Sequence, residues 1–168
     1  FAPQCCAGLL MAKELRFLGD ALDQPARPLA AVSGGAKVSS KLNVLKNLLG
    51  KVDVMVIGGA MANTFLKAMG HEVGISLVED DLLDAAKAIM AEAEAKGVRF
   101  LLPVDFVVAK SFDAPAAEGV VDYRSIPQDM MALDVGPATV EAFAQALASA
   151  KTVVWNGPMG AFEKKPFA

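Results

Sequence analysis

The sequence is poor in the residues that build disulfide frameworks and zinc sites. Its two cysteines, Cys5 and Cys6, are adjacent, and its one histidine is His71. Adjacent cysteines are a poor basis for a disulfide scaffold, and one histidine beside them does not make a zinc cluster. We therefore predict free thiols, a cytoplasmic protein and no metal ligands from this chain.

Long hydrophobic runs and an excess of positive charge are also missing. The longest nearly uncharged run covers residues 54–65, well short of the ~18 apolar residues that suggest a membrane-spanning helix. The net charge of -3 and the pI near 5.2 leave no electrostatic footprint for nucleic acid. We predict neither a membrane nor a nucleic-acid partner. The chain opens on Phe1 rather than Met, so we expect that its true N-terminus is missing.

Short apolar segments alternate with segments of helical periodicity along the 168 residues, 54% of which are hydrophobic. Strands are predicted at residues 28–33, 52–57, 98–102, 104–108 and 151–155, with a short one at 120–121, and helices at about 7–23, 39–49, 60–69, 82–97 and 137–148. Continuous apolar strands between helices favour a mostly parallel sheet covered on both faces. We therefore predict an α/β fold of three layers (helices, sheet, helices), Rossmann-like, with a sheet that is incomplete at its C-terminal end.

Three of the predicted strands run directly into glycine, in the segments AAVSGGAK, VMVIGGAMAN and VVWNGPMG. Ligands of open α/β sheets bind outside the carboxyl ends of the strands, and glycine lets the backbone approach a ligand closely. Three such turns at one sheet edge favour a binding crevice. The sequence contains neither G-x-x-x-x-G-K-[ST] nor G-x-G-x-x-G, so it lacks the P-loop and dinucleotide motifs.

Two lysines, Lys37 and Lys41, stand where the second predicted helix begins, with Ser39 or Ser40 as its expected cap. A cation at a helix N-terminus is unfavourable by roughly 0.3–1 kcal/mol, and lysines four residues apart repel each other. A bound polyanion would reverse both penalties, because amides and ammonium groups would converge on its oxygens. Two solvated lysines on an exposed turn are the alternative, and this motif alone leaves both interpretations open.

Other polar and aromatic residues have less specific interpretations. His71 follows a helix-ending glycine and is predicted on a surface loop. The acidic run 79–81 precedes a helix, where acids favour the dipole, and a metal site is the weaker interpretation. Asp105 is either a strand-end polar residue or part of the crevice rim. Trp155 is predicted in the core rather than as a stacking surface, and the methionines as core filler.

Five segments occur in the order and spacing of one known family: GGAKVSSKL, GGAMANTFL, LPVDFVVA, LDVGP and VWNGPMGAFE. The chain resembles phosphoglycerate kinase over nearly its whole length. AGLLMAKEL and PARPLAAVSGGAK are similar to that family's interdomain helix and to the first strand of its nucleotide domain. The resemblance implies that residues 1–23 form the interdomain (hinge) helix and residues 24–168 a partial C-terminal, nucleotide-binding domain.

The resemblance also implies an activity and a set of site residues. Phosphoglycerate kinase is a glycolytic enzyme that exchanges a phosphoryl group between 1,3-bisphosphoglycerate with ADP and 3-phosphoglycerate with ATP, using Mg²⁺. Lys37, Lys41 and Asn156 would contact nucleotide phosphates, Lys41 also near the transferred group as the catalytic residue, and Glu163 would bind the ribose hydroxyls. The residues matching the adenosine pocket are Gly35, Gly58, Gly59, Leu133 and Pro158.

Some family features are altered or absent. Ser40 stands where many members have Asp, Ala60 replaces a third glycine, and Ala132 replaces the glycine before Leu133. The family's metal-ligating aspartate and its phosphoglycerate-binding N-terminal domain have no counterpart here. We therefore expect Mg²⁺ only as the nucleotide complex, an inactive fragment, and a monomeric full-length protein. A non-catalytic nucleotide-binding module and a structural fragment without ligand stay open as alternatives.

Overall fold

A computed structural model describes residues 8–165 and residue 167. Cys5 and Cys6, and the predicted helix start at Ala7, lie outside the described residues. The helices are α1 (Leu9–Asp23), α2 (Leu42–Leu49), α3 (Met61–Ala68), α4 (Leu83–Ala95) and α5 (Pro137–Leu147), with a 3₁₀ turn at Asp80–Leu82. The strands are β1 (Leu29–Ser33), β2 (Val54–Ile57), β3 (Arg99–Leu101), β4 (Asp105–Ala109), β5 (Gly119–Asp122), β6 (Met131–Val135) and β7 (Thr152–Asn156).

A parallel sheet of four strands, in the order β3-β2-β1-β7, forms the centre of the structure. Val32 of β1 lies opposite Val56 of β2 and Trp155 of β7. β1 and β2 are buried at every position, as their continuous apolar sequences predict for strands covered on both faces. Because all four strands run in one direction, their carboxyl ends meet at a single edge.

Helices cover both faces of this sheet. On one face, Leu29, Ala31, Met55 and Ile57 pack with residues of α2, α3 and α4 in one buried cluster. On the other face, the intervening strand residues pack against α5, in a cluster formed by Ala30, Val32, Val54, Val56, Phe143 and Ala146. The alternation follows from the two-residue period of a strand. The prediction of a three-layer α/β fold is confirmed.

A second, antiparallel sheet of order β5-β4-β6 stands beside the parallel one. The sequence analysis predicted β4 and a short strand within β5, but assigned no strand to β6. The β6 segment carries Asp134 among apolar residues, and its pairing with β4 contains an irregularity between Val107 and Val108. Because this pairing joins segments that are distant in sequence, no local sequence pattern predicts it. Buried Pro103 separates β3 from β4, and the two strands enter different sheets.

Asp105 supports the start of α5 rather than the crevice. Its carboxylate accepts hydrogen bonds from the amide nitrogens of Ala138 (3.0 Å) and Thr139 (2.7 Å). The Thr139 hydroxyl in turn accepts hydrogen bonds from the amides of Val104 and Asp105. A Cβ at Gly136 would overlap the Asp105 carboxylate. Of the two interpretations, the strand-end polar residue is therefore the one that the structure supports.

Two predictions about individual residues are wrong. Trp155 is 61% exposed, because β7 is an edge strand of the described sheet. Neither Ser39 nor Ser40 caps α2: the N-cap is Lys41, without a side-chain cap bond. The Ser40 hydroxyl donates to the Lys37 carbonyl instead (3.0 Å), which tightens the turn before the helix.

The remaining residue predictions have mixed outcomes. His71 is half-buried and meets the Tyr123 ring edge-on, with ring centroids 4.9 Å apart. Asp80 pairs with Lys67 (2.7 Å) at the start of the 3₁₀ turn. The methionines divide: some are fully buried in the core and others, such as Met69, are half exposed. Within the described residues, no helix is both long enough and apolar enough to span a membrane.

Candidate functional site

The three glycine turns meet at the carboxyl edge of the parallel sheet. The Gly34 amide donates to the Asn156 carbonyl (2.9 Å) and the Gly59 amide to the Met159 carbonyl (2.7 Å). Gly59 has φ +67°, and a Cβ there would lie 2.5 Å from the Gly35 nitrogen. Only glycine permits both this backbone conformation and this close approach. The prediction that the turns share one edge is confirmed.

A cavity of ≈ 240 Å³ opens beside these turns. Its lining is mostly apolar, with backbone of the glycine turns on one side and the side chains of Leu133 and Pro158 among its walls. Five of the predicted residues line it: Gly35, Gly59, Leu133, Pro158 and Glu163. Gly58 is buried behind the lining, where a Cβ would overlap the side chain of Met159.

Lys41 joins the ends of β1 and β7. Its ammonium donates to the Gly34 carbonyl (2.5 Å), the Asn156 carbonyl (3.0 Å) and the Asn156 side-chain Oδ1 (2.5 Å). Burial lowers the pKa of Lys41. Gly157, at φ +88°, leaves room for this ammonium, because a Cβ there would come within 2.6 Å of Nζ. The structure thus brings Lys41 and Asn156 together, 115 residues apart in sequence.

Lys37 lies on the lysine turn, the segment of residues 34–41 between β1 and α2. Its side chain is exposed, and it takes no part in the Lys41 network. Across the turn, the Glu79 carboxylate accepts hydrogen bonds from the Ser39 amide and hydroxyl. Desolvation raises the pKa of Glu79, but the Ser39 bonds and the Lys37 charge outweigh it and lower that pKa overall.

Sequence reasoning missed several residues of the site. Leu77, Phe112 and Phe162 line the cavity, and Phe112 lies under the Lys164 ammonium, 4.8 Å from the ring centroid. Lys164 also pairs with Asp113 (2.6 Å), which ties the loop after β4 to the end of the described chain. Phe112 belongs to a segment rich in Pro, Asp and Gly, where no periodicity could single it out.

Two acids stand near the cavity. Burial raises the pKa of Asp134, and the charge of Glu163 raises it further, while the hydrogen bond from the Val135 amide acts in the opposite direction. Glu163 itself is exposed at the cavity lining. Among the described residues, no group of three or more His, Cys, Asp or Glu side chains could hold a metal ion.

Groups suited to three kinds of binding interaction lie next to one another at this edge of the sheet. The cavity supplies an apolar slot walled by backbone and by Leu133. Lys37 and Lys41 supply positive charge for an anion. Glu163 supplies a hydrogen-bond acceptor. A ligand with a flat apolar ring, hydroxyl groups and an anionic tail would complement all three.

Fold and site together define a three-layer α/β protein with a cavity at the carboxyl ends of its parallel strands. The family model described as phosphoglycerate kinase matches residues 1–168. The chain belongs to the phosphoglycerate kinase family.

Individual relatives agree with this assignment. The phosphoglycerate kinase of Desulforapulum autotrophicum is 54% identical over 167 residues, which are 99% of this chain and 43% of that protein. The phosphoglycerate kinase of Coxiella burnetii has a solved structure that matches 95% of this chain and 41% of its own, with 45% identity and a TM-score of 0.89. The enzyme of Pyrococcus horikoshii matches with 30% identity and a TM-score of 0.79. The chain thus spans less than half the length of these relatives.

Proposed function

We propose that this chain is the ADP/ATP-binding part of a phosphoglycerate kinase. The observation that carries the proposal is the single sheet edge at which an apolar cavity adjoins the Lys41–Asn156 pair. Residues 115 positions and more apart meet there, since Gly35 and Lys41 come from the first turn and Asn156, Pro158 and Glu163 from the last. The family assignment supplies the reaction, and the edge supplies complementary groups for its nucleotide.

The proposed nucleotide lies with its base in the cavity. Leu133 and Pro158 would pack against the ring, and the glycines Gly35, Gly58 and Gly59 would let it approach the backbone. Glu163 would accept hydrogen bonds from the ribose hydroxyls. The phosphates would then extend along the sheet edge toward the lysine turn and Asn156. Phe112, at the cavity wall, joins this set as a further base contact.

Phosphoryl transfer asks a protein mainly to position groups and to neutralise charge on the transferred oxygens. Lys41 is proposed for that catalytic role, and Lys37 and Asn156 for holding the phosphates. Reaching a phosphate would require the Lys41 ammonium to exchange at least one of its three oxygen partners at Gly34 and Asn156. Magnesium would enter with the nucleotide.

The rest of the proposal concerns the whole protein. We propose that residues 1–23 are the interdomain helix and residues 24–168 part of the nucleotide-binding domain. In support, α1 exposes a series of large apolar side chains: Leu9, Leu10, Met11, Leu15, Phe17 and Leu18. The second substrate would be bound by the phosphoglycerate-binding domain of the full-length enzyme. We therefore expect a cytoplasmic, monomeric full-length enzyme, and no turnover by this chain alone.

Calorimetry of MgADP binding to the chain tests the nucleotide site. We expect weak binding, and we expect Lys37→Ala to weaken it about tenfold, or ~1.4 kcal/mol, because one cation is lost from the phosphate path. Lys46→Ala is the matched control: this exposed lysine lies in the last turn of α2, at the end away from the crevice, and should change affinity less than twofold.

Absence of binding by a demonstrably folded sample would leave only the structural-fragment alternative. Equal weakening by the two lysine variants would instead mean that ADP senses the overall charge and no local site.

A further inference from the structure

We propose that Glu79 is the positioning residue of the lysine turn, holding it in the conformation that receives nucleotide phosphates. This inference rests on the proposed function and adds a residue to it. Glu79 lies 40 residues from the turn in sequence, on the loop that precedes the 3₁₀ turn. It does not line the cavity, so it acts through the turn and not on the ligand.

Both carboxylate oxygens of Glu79 accept hydrogen bonds from Ser39, at the tip of the lysine turn (residues 37–39). Oε2 accepts a hydrogen bond from the Ser39 amide (3.0 Å), and Oε1 accepts one from the Ser39 hydroxyl (2.5 Å). Hydrogen bonds to an ionised acceptor are the stronger ones in proteins. This pair restrains Ser39 by its backbone and its side chain together, midway between Lys37 and Lys41.

The other end of this contact is anchored in the core. The Glu79 amide donates to the Thr64 hydroxyl (3.2 Å), and Thr64 is a buried residue of α3 with 1% of its surface exposed. Asp80, the next residue, pairs with Lys67 on the same helix. Glu79 therefore connects the tip of the lysine turn to a helix packed against the sheet.

The turn has further attachments besides Glu79: the Gly34 amide donates to the Asn156 carbonyl (2.9 Å), and the Val38 side chain is fully buried in the core. The Gly35 carbonyl accepts a hydrogen bond from the Met61 amide (2.9 Å), and the Lys41 ammonium bonds to Asn156. The bonds within the tip itself join Ser40 to Lys37 and the Lys41 amide to Val38. Among the hydrogen bonds of the described residues, those to Glu79 thus hold Ser39 from outside the turn, next to the buried side chain of Val38.

Because Glu79 is negatively charged, its positioning role and a purely electrostatic effect on ADP binding can be distinguished by experiment. A carboxylate close enough to Lys37 to feel its charge also repels a nearby phosphate. If Glu79 acted only through its charge, its removal would strengthen ADP binding. If it positions the turn, its removal weakens ADP binding despite the more positive potential. The two explanations predict opposite signs.

The experiment measures MgADP and adenosine affinity by calorimetry for the chain and for Glu79→Ala, Glu79→Gln and Asp81→Ala. We expect Glu79→Ala to weaken ADP binding about tenfold and to leave adenosine within twofold, because adenosine would meet the lysine turn only at its start, near Gly35, and not at Ser39. Glu79→Gln should recover most of the loss, since its amide can accept from the Ser39 nitrogen and donate to the Ser39 hydroxyl. Asp81→Ala, which removes a neighbouring exposed acid, should not weaken ADP binding.

Hydrogen exchange of the Ser39 amide gives a readout that needs no ligand. We expect faster exchange in Glu79→Ala than in the parent chain, and no change in Asp81→Ala. If Glu79→Ala does not fold, Ser39→Ala removes only the hydroxyl bond, and a roughly two- to threefold loss of ADP affinity is then expected.

Tighter or unchanged ADP binding in Glu79→Ala would overturn the inference, as would equal weakening of ADP and adenosine or unchanged Ser39 exchange. With Ser39→Ala, ADP affinity equal to that of the parent chain would overturn it. These results differ from a failure of the proposed function, in which the parent chain itself binds neither adenosine nor ADP.

Discussion

At the scale of single residues, two glycines, Gly59 and Gly157, allow the close packing of the turns around the cavity. Gly59 combines φ +67° with a Cβ position 2.5 Å from the Gly35 nitrogen and 2.7 Å from its carbonyl oxygen. Gly157 combines φ +88° with the space that the Lys41 ammonium occupies. At both positions, any other residue would have to adopt a strained backbone conformation, and its Cβ would also overlap a neighbouring atom. These glycines are therefore structural requirements of the site and need no contact with a ligand to be important.

Gly59→Ala is expected to lower the free energy of unfolding by more than about 2 kcal/mol, because the left-handed conformation alone costs roughly 1–2 kcal/mol and the overlap with Gly35 adds to it. Urea denaturation measures the change. Gly70→Ala is the matched control, since Gly70 has φ +91° but nothing within 4 Å of its Cβ position. It should show only the conformational cost, and equal losses in the two variants would contradict the role of the close approach.

How much of the site could be predicted depends on the residue. Lys41 follows β1 and Asn156 ends β7. The glycine turns of both strands are visible in the sequence, so their shared edge follows from the rule for parallel sheets. Glu79 was assigned to the helix dipole, because its bonds to Ser39 depend on a loop path that no local pattern encodes. Phe112 lies in an irregular segment, so its place in the cavity wall carried no signal at all.

At the scale of elements, α5 depends on a contact from another strand. It begins at Pro137 without a side-chain cap from its own N-cap residue, Gly136. Asp105 of β4 supplies the missing acceptors, bonding to the Ala138 and Thr139 amides. A carboxylate at a helix N-terminus satisfies free amides and complements the helix dipole. The same residue thereby joins the antiparallel sheet to a helix that covers the parallel one.

Asp105→Ala is expected to lower the free energy of unfolding by about 2–4 kcal/mol, because it leaves two helix amides without their acceptor and opens a buried site. Chemical denaturation monitored by circular dichroism measures this loss. Asp129→Ala, at an exposed aspartate, is the control and should stay within about 0.5 kcal/mol of the parent. A loss below about 1 kcal/mol in Asp105→Ala would mean that Gly136 and Pro137 start the helix unaided.

The parallel sheet has an unprotected side at the scale of the whole molecule. Within the part of the chain that the structure describes, β1 is the strand that pairs with β7, and the other edge of β7 has no strand beside it. Val153 and Trp155 on this strand are 46% and 61% exposed. An apolar edge strand is a template for pairing with another chain, and α1 adds further exposed apolar surface.

We expect the isolated chain to associate as its concentration rises, through this edge. Val153→Lys should weaken the association about tenfold, because a lysine on an edge strand opposes pairing. Sedimentation velocity over a concentration series measures it. Val140→Lys, on α5 with 55% exposure, is the control for added charge and should have a smaller effect. A parent chain that stays monomeric with a cooperative thermal transition would contradict the expectation.

The sequence by itself determined the α/β class, the strands of the parallel sheet and the glycine turns at their ends, because these depend on hydrophobic periods and backbone freedom within a few residues. Only the tertiary structure decided which distant segments touch. It placed β6 beside β4, Asp105 under α5, Glu79 on Ser39, and Trp155 on an exposed edge. Each of these contacts depends on the packing of whole layers, and that arrangement is set by the chain as a unit rather than by any local pattern.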